Sequence, residues 1–170
     1  LTRAAAAHLE FFPSVDAIAD AKAELWQALP SGGVAVANAD DPRLAPRAQA
    51  LRPEGLWTYG TAPSARVRIT DQALTADGLR VDLTVDGAPA QTTLRTLGAH
   101  NASNAAGVLA VVAALGLDVP RAAEALGRTF TPGSHRLQVR RAAGGLTVLD
   151  DCYNANPASM TAALAALAAA

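Results

Sequence analysis

The first part of the chain carries apolar residues at the spacing of an amphipathic helix. Ser14 is a suitable N-cap for a helix that continues to about Leu29, where residues 30–33 (Pro-Ser-Gly-Gly) end it. Short apolar runs at residues 34–37 and 56–60 predict two strands, with a short helix at residues 43–52 between them. A helix between two such strands indicates an α/β sheet. The predicted apolar face of the first helix consists of Val15, Ile18, Ala19, Leu25, Trp26 and Leu29.

From residue 66 to residue 97, apolar positions alternate with polar ones, which predicts strands with one buried face. The turn sequences Ala76-Asp77-Gly78 and Asp86-Gly87 divide this segment into an antiparallel meander of three or four strands. The predicted elements that follow are helices at residues 101–115 and 120–126, a linker at 131–134, strands at 137–139 and 146–149, and a final helix from Asn156-Pro157. The inward positions predicted for the helix at 101–115 are Ala105, Val108, Leu109, Val112 and Leu115.

The composition predicts a packed core and argues against two classes of partner. Of the 170 residues, 51% are hydrophobic and 17% are charged, and the net charge is −1, so neither nucleic-acid binding nor membrane insertion is expected. The one cysteine, Cys152, excludes an intramolecular disulfide and suits a cytoplasmic protein. The start at Leu1 and the apolar helical pattern at residues 164–170 lead us to expect a fragment of a longer protein.

Lys22 is the most informative single residue. It lies seven residues after Val15 and four before Trp26, so the helical pattern places it in the middle of the predicted apolar face. In one interpretation, its stem packs on apolar neighbours while its ammonium group reaches water. In the other, burial keeps the amine neutral, so that it acts as a nucleophile or reacts with carbon dioxide. The resulting carbamate is anionic and binds metals as a carboxylate does.

Two pairs of polar residues are candidates for ligand contacts. The spacing of His8 and Glu10 predicts that they lie on one side of an extended segment, and both side chains can bind a divalent metal. Asn101 is either the N-cap of its helix or acts together with Asn104. Two amides one helical turn apart can contact the edge of a base or a ribose.

Further candidates lie near the end of the chain. Asp150 and Asp151 follow the apolar strand at 146–149, and the carboxyl end of a strand is where open α/β sheets bind ligands. A simple polar turn would explain Asn156 as a helix cap but not its polar neighbours. Arg136 is either a surface arginine or a phosphate contact. Cys152 has no obvious adjacent base and is interpreted as a packing residue.

Several segments resemble the Mur ligase family, which includes folylpolyglutamate synthetase, and they keep the same order across nearly the whole chain. Within the family, they are most similar to ligases that add D-alanyl-D-alanine to UDP-N-acetylmuramoyl (UDP-MurNAc) tripeptide. Cys152 stands where serine is usual, and residues 133–136 depart from the usual Pro-Gly-Arg. Neither phosphate-binding glycine motif, G-x-x-x-x-G-K-[ST] or G-x-G-x-x-G, occurs in the chain. The matching segments are AHLE, AKAEL, NADDP, the meander, GAHNASN, P-x-x-HR and DDCYNANPASM.

The resemblance implies a role for each matching residue. His8 would bind a magnesium ion, and Lys22, carbamylated, would be catalytic and would help to hold the same ion. The residues implied to contact ATP are Asn101 and Asn104 at the adenosine, Arg136 at a domain junction, Asp151 at the ribose, and Tyr153 and Asn154 along a closed cleft.

The resemblance also implies fold and function. Residues 1–133 would be the C-terminal part of a Mur ligase central domain, which is P-loop NTPase-like, without its phosphate loop. Residues 134–170 would begin a Rossmann-like C-terminal domain. The full-length protein would be a cytoplasmic, monomeric ligase of peptidoglycan synthesis that uses ATP and Mg²⁺ to join D-alanyl-D-alanine to UDP-MurNAc-tripeptide, and this chain alone would be inactive. Alternatives are a sister ligase that adds another amino acid or adds glutamate to folate, a non-catalytic nucleotide-binding or assembly fragment, and an unrelated α/β module.

Overall fold

The computed structural model describes residues 1–6 and 11–168, which form a mixed α/β fold. His8 and Glu10 lie outside the described residues. Strands β1 to β3 pair in parallel and β3 to β5 pair antiparallel, so the predicted α/β strands and the predicted meander form one sheet, joined where Tyr59 pairs with Val67. The five strands, in spatial order, are β1 (Ala35–Asn38), β2 (Leu56–Gly60), β3 (Val67–Thr75), β4 (Gly78–Val85) and β5 (Ala88–Leu94).

The remaining elements follow the predicted order. β6 and β7 form a separate antiparallel pair. Within residues 1–6 and 11–168, none of the helices combines the length and the hydrophobicity needed to cross a bilayer. The mixed α/β prediction is confirmed, whereas the Rossmann-like C-terminal domain stays a prediction. The remaining elements are α1 (Val15–Gln27), α2 (Leu44–Leu51), α3 (Ala99–Ala114), α4 (Val119–Thr129), β6 (Gln138–Arg141), β7 (Thr147–Asp150) and α5 (Pro157–Ala168).

The helix α1 buries a narrower face than the sequence pattern predicts. The Ser14 hydroxyl caps it by accepting a hydrogen bond from the Ala17 N–H at 3.1 Å. Its buried residues are Ile18, Ala19, Ala23 and Trp26, while Lys22 is exposed and Leu25 is 60% exposed. The prediction that Lys22 is buried is therefore wrong. The buried stripe is centred on two alanines and Trp26, so the longer side chains on its flank extend into solvent.

The helix α3 packs on the sheet through small side chains. Its buried residues are Ala102, Ala105, Ala106, Leu109 and Ala110. A Cβ atom added at Gly107 would lie 3.0 Å from Cζ of Tyr59, so the helix backbone lies directly on that ring.

This close packing corrects part of the α3 prediction. Val108 and Leu115, predicted to face inward, are 45% and 65% exposed. Four of the five buried side chains are alanines, which allow the helix to approach the sheet closely, and Leu109 is the one larger apolar side chain buried with them.

The turn after β1 is held by two carboxylates. Asp41 is buried, and its carboxylate accepts hydrogen bonds from the N–H groups of Ala4 (2.8 Å), Arg43 (2.9 Å) and Leu44 (3.0 Å). Asp40 accepts from the Thr61 N–H at 2.7 Å, which ties this turn to the end of β2. The NADDP segment thus connects the chain's first residues, β1, α2 and β2, and its polar residues have structural partners.

Candidate functional site

A cleft of about 510 Å³ lies between the start of α3, the linker before β6 and the segment between β7 and α5. All six residues that the resemblance assigned to ATP line this cleft, although they come from three separate parts of the chain. Lys22 does not line it. The six are Asn101, Asn104, Arg136, Asp151, Tyr153 and Asn154.

The α3 side of the cleft carries the two amides. The helix begins at Ala99, with Gly98 as its N-cap residue, so the interpretation of Asn101 as the N-cap is wrong. The side-chain NH₂ of Asn101 donates to the Leu97 carbonyl at 2.8 Å, which orients the amide. Asn104 donates to the Asn101 side-chain oxygen at 3.4 Å and is itself exposed. The amide of Asn104 therefore keeps free hydrogen-bonding capacity toward the cleft.

The opposite wall is built from the two segments that flank the β6–β7 hairpin. The Leu137 N–H donates to one carboxylate oxygen of Asp151 at 3.0 Å, and the Tyr153 N–H donates to the His135 carbonyl at 3.1 Å. The guanidinium of Arg136 stacks on the ring of Tyr153, with Cζ 4.1 Å from the ring centroid. These contacts cross-link the two segments and hold a cation, a carboxylate and an aromatic ring in one wall.

Sequence reasoning missed His100 and Arg3, which also line the cleft. The position of His100 directly before Asn101 is the available signal, whereas no local pattern marks Arg3. A Cβ atom added at Gly98 would lie 2.7 Å from Cε1 of His100, so the ring packs on that glycine backbone. Although part of the residue is exposed, desolvation by neighbouring protein atoms lowers the pKa of His100, and the Asp151 carboxylate raises it in part.

Comparison of the sequence with known protein families identifies the family of this chain. The pattern of the Mur ligase middle domain matches residues 1–112. This match covers more than half of the chain, and the chain therefore belongs to the Mur ligase family.

Two similar proteins have names that give different substrates. The UDP-N-acetylmuramoyl-tripeptide–D-alanyl-D-alanine ligase of Mycobacterium tuberculosis is 39% identical over 164 residues, which cover 95% of this chain and 32% of that relative. The UDP-N-acetylmuramate–L-alanine ligase of Acidothermus cellulolyticus is 36% identical over 170 residues, which cover 98% of this chain and 35% of that relative. The chain thus spans about a third of the length of these curated relatives.

Solved structures agree with the family assignment. A crystal structure of MurF from Acinetobacter baumannii has a TM-score of 0.89 at 27% identity and covers 99% of this chain and 36% of that chain. The folylpolyglutamate synthase of Mycobacterium tuberculosis, complexed with ADP, has a TM-score of 0.74 at 24% identity and covers 91% of this chain and 34% of that chain. The latter likeness concerns the fold alone.

The environment of His100 predicts a measurable pH dependence. Because its pKa lies below the ordinary value of 6.5, neutral His100 contributes stability above that pH, and the contribution is lost as the pH falls through the folded-state pKa. We expect an NMR titration of the imidazole to give a pKa below 6.5. Asp151→Asn should lower the pKa further, because it removes the favourable negative charge. Glu124→Gln, on the exposed face of α4, is the control and should leave it unchanged; a pKa above 6.5 in the unaltered chain would contradict the described packing.

Proposed function

We propose that this chain is the nucleotide-contacting part of an ATP-dependent ligase that joins D-alanyl-D-alanine to UDP-MurNAc-tripeptide in peptidoglycan precursor synthesis. The observation that carries the proposal is the convergence of the six predicted ATP contacts on one cleft. The relative from Mycobacterium tuberculosis whose name gives this reaction supports the choice of substrates. We propose further that the full-length protein is a cytoplasmic monomer.

The cleft offers a group for each part of a nucleotide. Asn101 and Asn104 present amide donors and acceptors suited to the edge of adenine. One oxygen of Asp151 accepts the Leu137 N–H, so its other oxygen remains for a ribose hydroxyl. Arg136, held flat on Tyr153, presents its planar guanidinium to a phosphate oxygen. Tyr153 and Asn154 would complete the wall nearest the ligand.

The two walls of the cleft suggest a moving junction. We propose that residues 1–133 belong to the central domain and that residues 134–170 begin a Rossmann-like C-terminal domain. In support, β6 and β7 form a sheet of their own, separate from the five-stranded sheet. Closure of the second part over ATP would exclude water from a reactive acyl phosphate.

The proposed reaction forms an amide through an activated carboxylate. The carboxylate of the tripeptide attacks the γ-phosphate of ATP, and ADP leaves. The amine of D-alanyl-D-alanine then attacks the acyl carbon of the acyl phosphate, the acyl C–O bond breaks, and inorganic phosphate leaves together with one proton of the amine. The residues of this chain would contribute positioning and charge, with Arg136 facing the phosphates and Asp151 fixing the ribose.

A magnesium site at His8 and Lys22 is part of the proposal. Lys22 is exposed, so carbon dioxide can reach its amine, and carbamylation would replace a cation that repels Mg²⁺ with the oxygen ligands that Mg²⁺ prefers. Because Lys22 is not buried, this chemistry is supported by the family resemblance and not by desolvation of the amine. When bound, Mg²⁺ would neutralise charge on the transferring phosphoryl group.

A sister ligase is the second candidate, favoured by the 36% identity to an L-alanine ligase over 98% of this chain. That enzyme's name gives UDP-MurNAc, and not the tripeptide, as its acceptor, so the two candidates differ in both substrates. The residues that line the cleft serve the nucleotide in either case.

The ligation assay tests the function directly. We expect the full-length protein to convert UDP-MurNAc-tripeptide, D-alanyl-D-alanine and ATP to the pentapeptide product, with one ADP and one phosphate formed per amide, as measured by mass spectrometry. Residues 1–170 alone should show no turnover, because the phosphate-binding motif is missing from this sequence. Ligation of L-alanine to UDP-MurNAc in place of this reaction would support the sister ligase.

Substitutions in the cleft test the nucleotide assignment in the full-length protein. Arg136→Lys keeps the charge but removes the planar fork, and we expect the Kd for ADP, measured by calorimetry, to rise about 10-fold or more. Asn104→Leu should also weaken binding, because it removes the free amide. Arg128→Lys, which changes an exposed arginine of α4, is the matched control and should bind ADP as the unaltered protein does. Equal ADP affinity in all variants would show that the nucleotide does not bind in this cleft.

Lys22 has its own test in the full-length protein. It is the only lysine of the chain, and Lys22→Ala should reduce the ligation rate at least about 10-fold if a carbamate holds the metal. Short carboxylic acids such as formate should restore part of the rate by supplying the missing oxygen ligands. Glu24→Ala, an exposed change on the same helix, should neither lose activity nor respond to formate. Full activity of Lys22→Ala would exclude the carbamate.

A further inference from the structure

Three side chains with metal-binding atoms converge at the open end of the β6–β7 hairpin. The pairing of Gln138 with Asp150 brings His135, which precedes β6, beside Cys152, which follows β7. Nδ1 of His135 lies 3.1 Å from Oδ1 of Asp150, and Sγ of Cys152 lies 3.2 Å from the same oxygen. One nitrogen, one oxygen and one sulfur atom of these residues all lie within 4.8 Å of one another.

This cluster lies apart from the nucleotide cleft. Asp151 and Tyr153 line the cleft, whereas Asp150 and Cys152 do not, and His135 is likewise absent from the lining. Side chains along an extended segment point alternately to its two sides, so the residues between the cleft contacts face away from the nucleotide. Cys152 is exposed, and its interpretation as a packing residue is wrong.

The backbone holds the three residues in place. The Tyr153 N–H donates to the His135 carbonyl, and the Leu137 N–H donates to Asp151, so the two segments that supply the ligands are joined on both sides of the cluster. Nε of Arg140 lies 2.8 Å from Oδ2 of Asp150, and Nδ1 of His135 lies 2.9 Å from the same oxygen. Arg140 thus helps to orient the carboxylate, and Oδ1 is the oxygen that lies near both the imidazole nitrogen (3.1 Å) and the thiol sulfur (3.2 Å). The ligand atoms need to move little to surround an ion.

The donor set selects a class of metal. Imidazole nitrogen, thiolate sulfur and carboxylate oxygen are the three donor types of zinc sites, with metal–ligand distances of about 2.0–2.3 Å. Tetrahedral coordination at those lengths separates the donors by about 3.3–3.8 Å, close to the separations of 3.1 and 3.2 Å from Oδ1 and within the 4.8 Å that bounds all three atoms. Mg²⁺ and Ca²⁺ prefer oxygen donors alone. Because His135 and Cys152 are exposed, a fourth position would be open to water.

We propose that Nδ1 of His135, Oδ1 of Asp150 and Sγ of Cys152 form a surface site for a borderline divalent cation such as Zn²⁺. On binding, the ion takes the place of the thiol proton, which passes to water, and the imidazole hydrogen moves from Nδ1 to Nε2 through solvent, so that the Nδ1 lone pair binds the ion. The bound ion cross-links the segment before β6 to the segment after β7. This site is independent of the proposed magnesium site and of the proposed function.

Cobalt is the most direct probe, because Cys152 is the only cysteine in the chain. Titration of Co²⁺ into the 170-residue chain, with a non-thiol reductant present, should give one equivalent bound and a thiolate-to-cobalt charge-transfer band in the near ultraviolet. Cys152→Ser should abolish the band, and competition by Zn²⁺ should remove it from the unaltered chain. The absence of the band at saturating Co²⁺, or half an equivalent bound because two chains share one ion, would overturn the proposal.

Variants of the other two ligands complete the test. His135→Gln and Asp150→Asn should each weaken Zn²⁺ binding at least about 10-fold, measured by competition with a chromophoric chelator. Asp71→Asn is the matched control, because Asp71 is also an exposed carboxylate paired with an arginine, and it should leave the Kd unchanged. Unchanged affinity in both ligand variants would overturn the proposal.

Alkylation of Cys152 gives a readout that needs no variant. One equivalent of Zn²⁺, but not of Mg²⁺, should slow this reaction in the unaltered chain. Equal alkylation rates with and without Zn²⁺ would overturn the proposal.

Discussion

The close contact between α3 and the five-stranded sheet is the constraint on which the rest of the structure depends. Alanines and Gly107 allow the helix backbone to lie against Tyr59 and the neighbouring strands. A helix held so near the sheet has a defined direction, and its first turn projects Asn101 into the cleft. Larger side chains on this face would move the helix outward and shift the amides with it. The packing of the core thus sets the position of one wall of the candidate site.

The second wall depends on hydrogen bonds more than on apolar packing. The segments that flank β6 and β7 are tied together by the pairs Leu137–Asp151 and Tyr153–His135, and they carry functional groups on both of their sides. One side presents Arg136, Asp151 and Tyr153 to the cleft. The other side presents the histidine, carboxylate and thiol of the proposed zinc site. Binding of the proposed nucleotide and binding of the proposed metal ion would therefore act on the same short stretch of backbone.

The family match and the cleft involve overlapping but different parts of the chain. The family match covers residues 1–112 and thus the amides of α3, whereas Arg136, Asp151 and Tyr153 lie beyond it. The geometry joins the two parts of the chain in one site. The choice between D-alanyl-D-alanine and L-alanine as the amine depends on residues that contact the amine, whereas the cleft described here is proposed to hold the nucleotide.

Local sequence determined the order and approximate bounds of the helices and strands. Ser14 caps α1 as predicted, and both hairpin turns of the meander lie where glycine and aspartate favour them. These features depend on hydrogen bonds and backbone preferences within a few residues, and the local residue types determine those preferences. The motifs that resemble the Mur ligases also contain six residues that line the cleft.

Only the tertiary structure decided which faces are buried and which residues meet. Lys22 fits the helical apolar pattern, yet it is exposed because the neighbouring surface meets the alanine side of α1. The joining of β2 to β3 placed the meander in the same sheet as the parallel strands, and the fold brought His100 near Asp151, which lies 51 positions later in the chain. Such contacts depend on packing between segments that are distant along the chain, and a local pattern does not contain the shape of the partner surface.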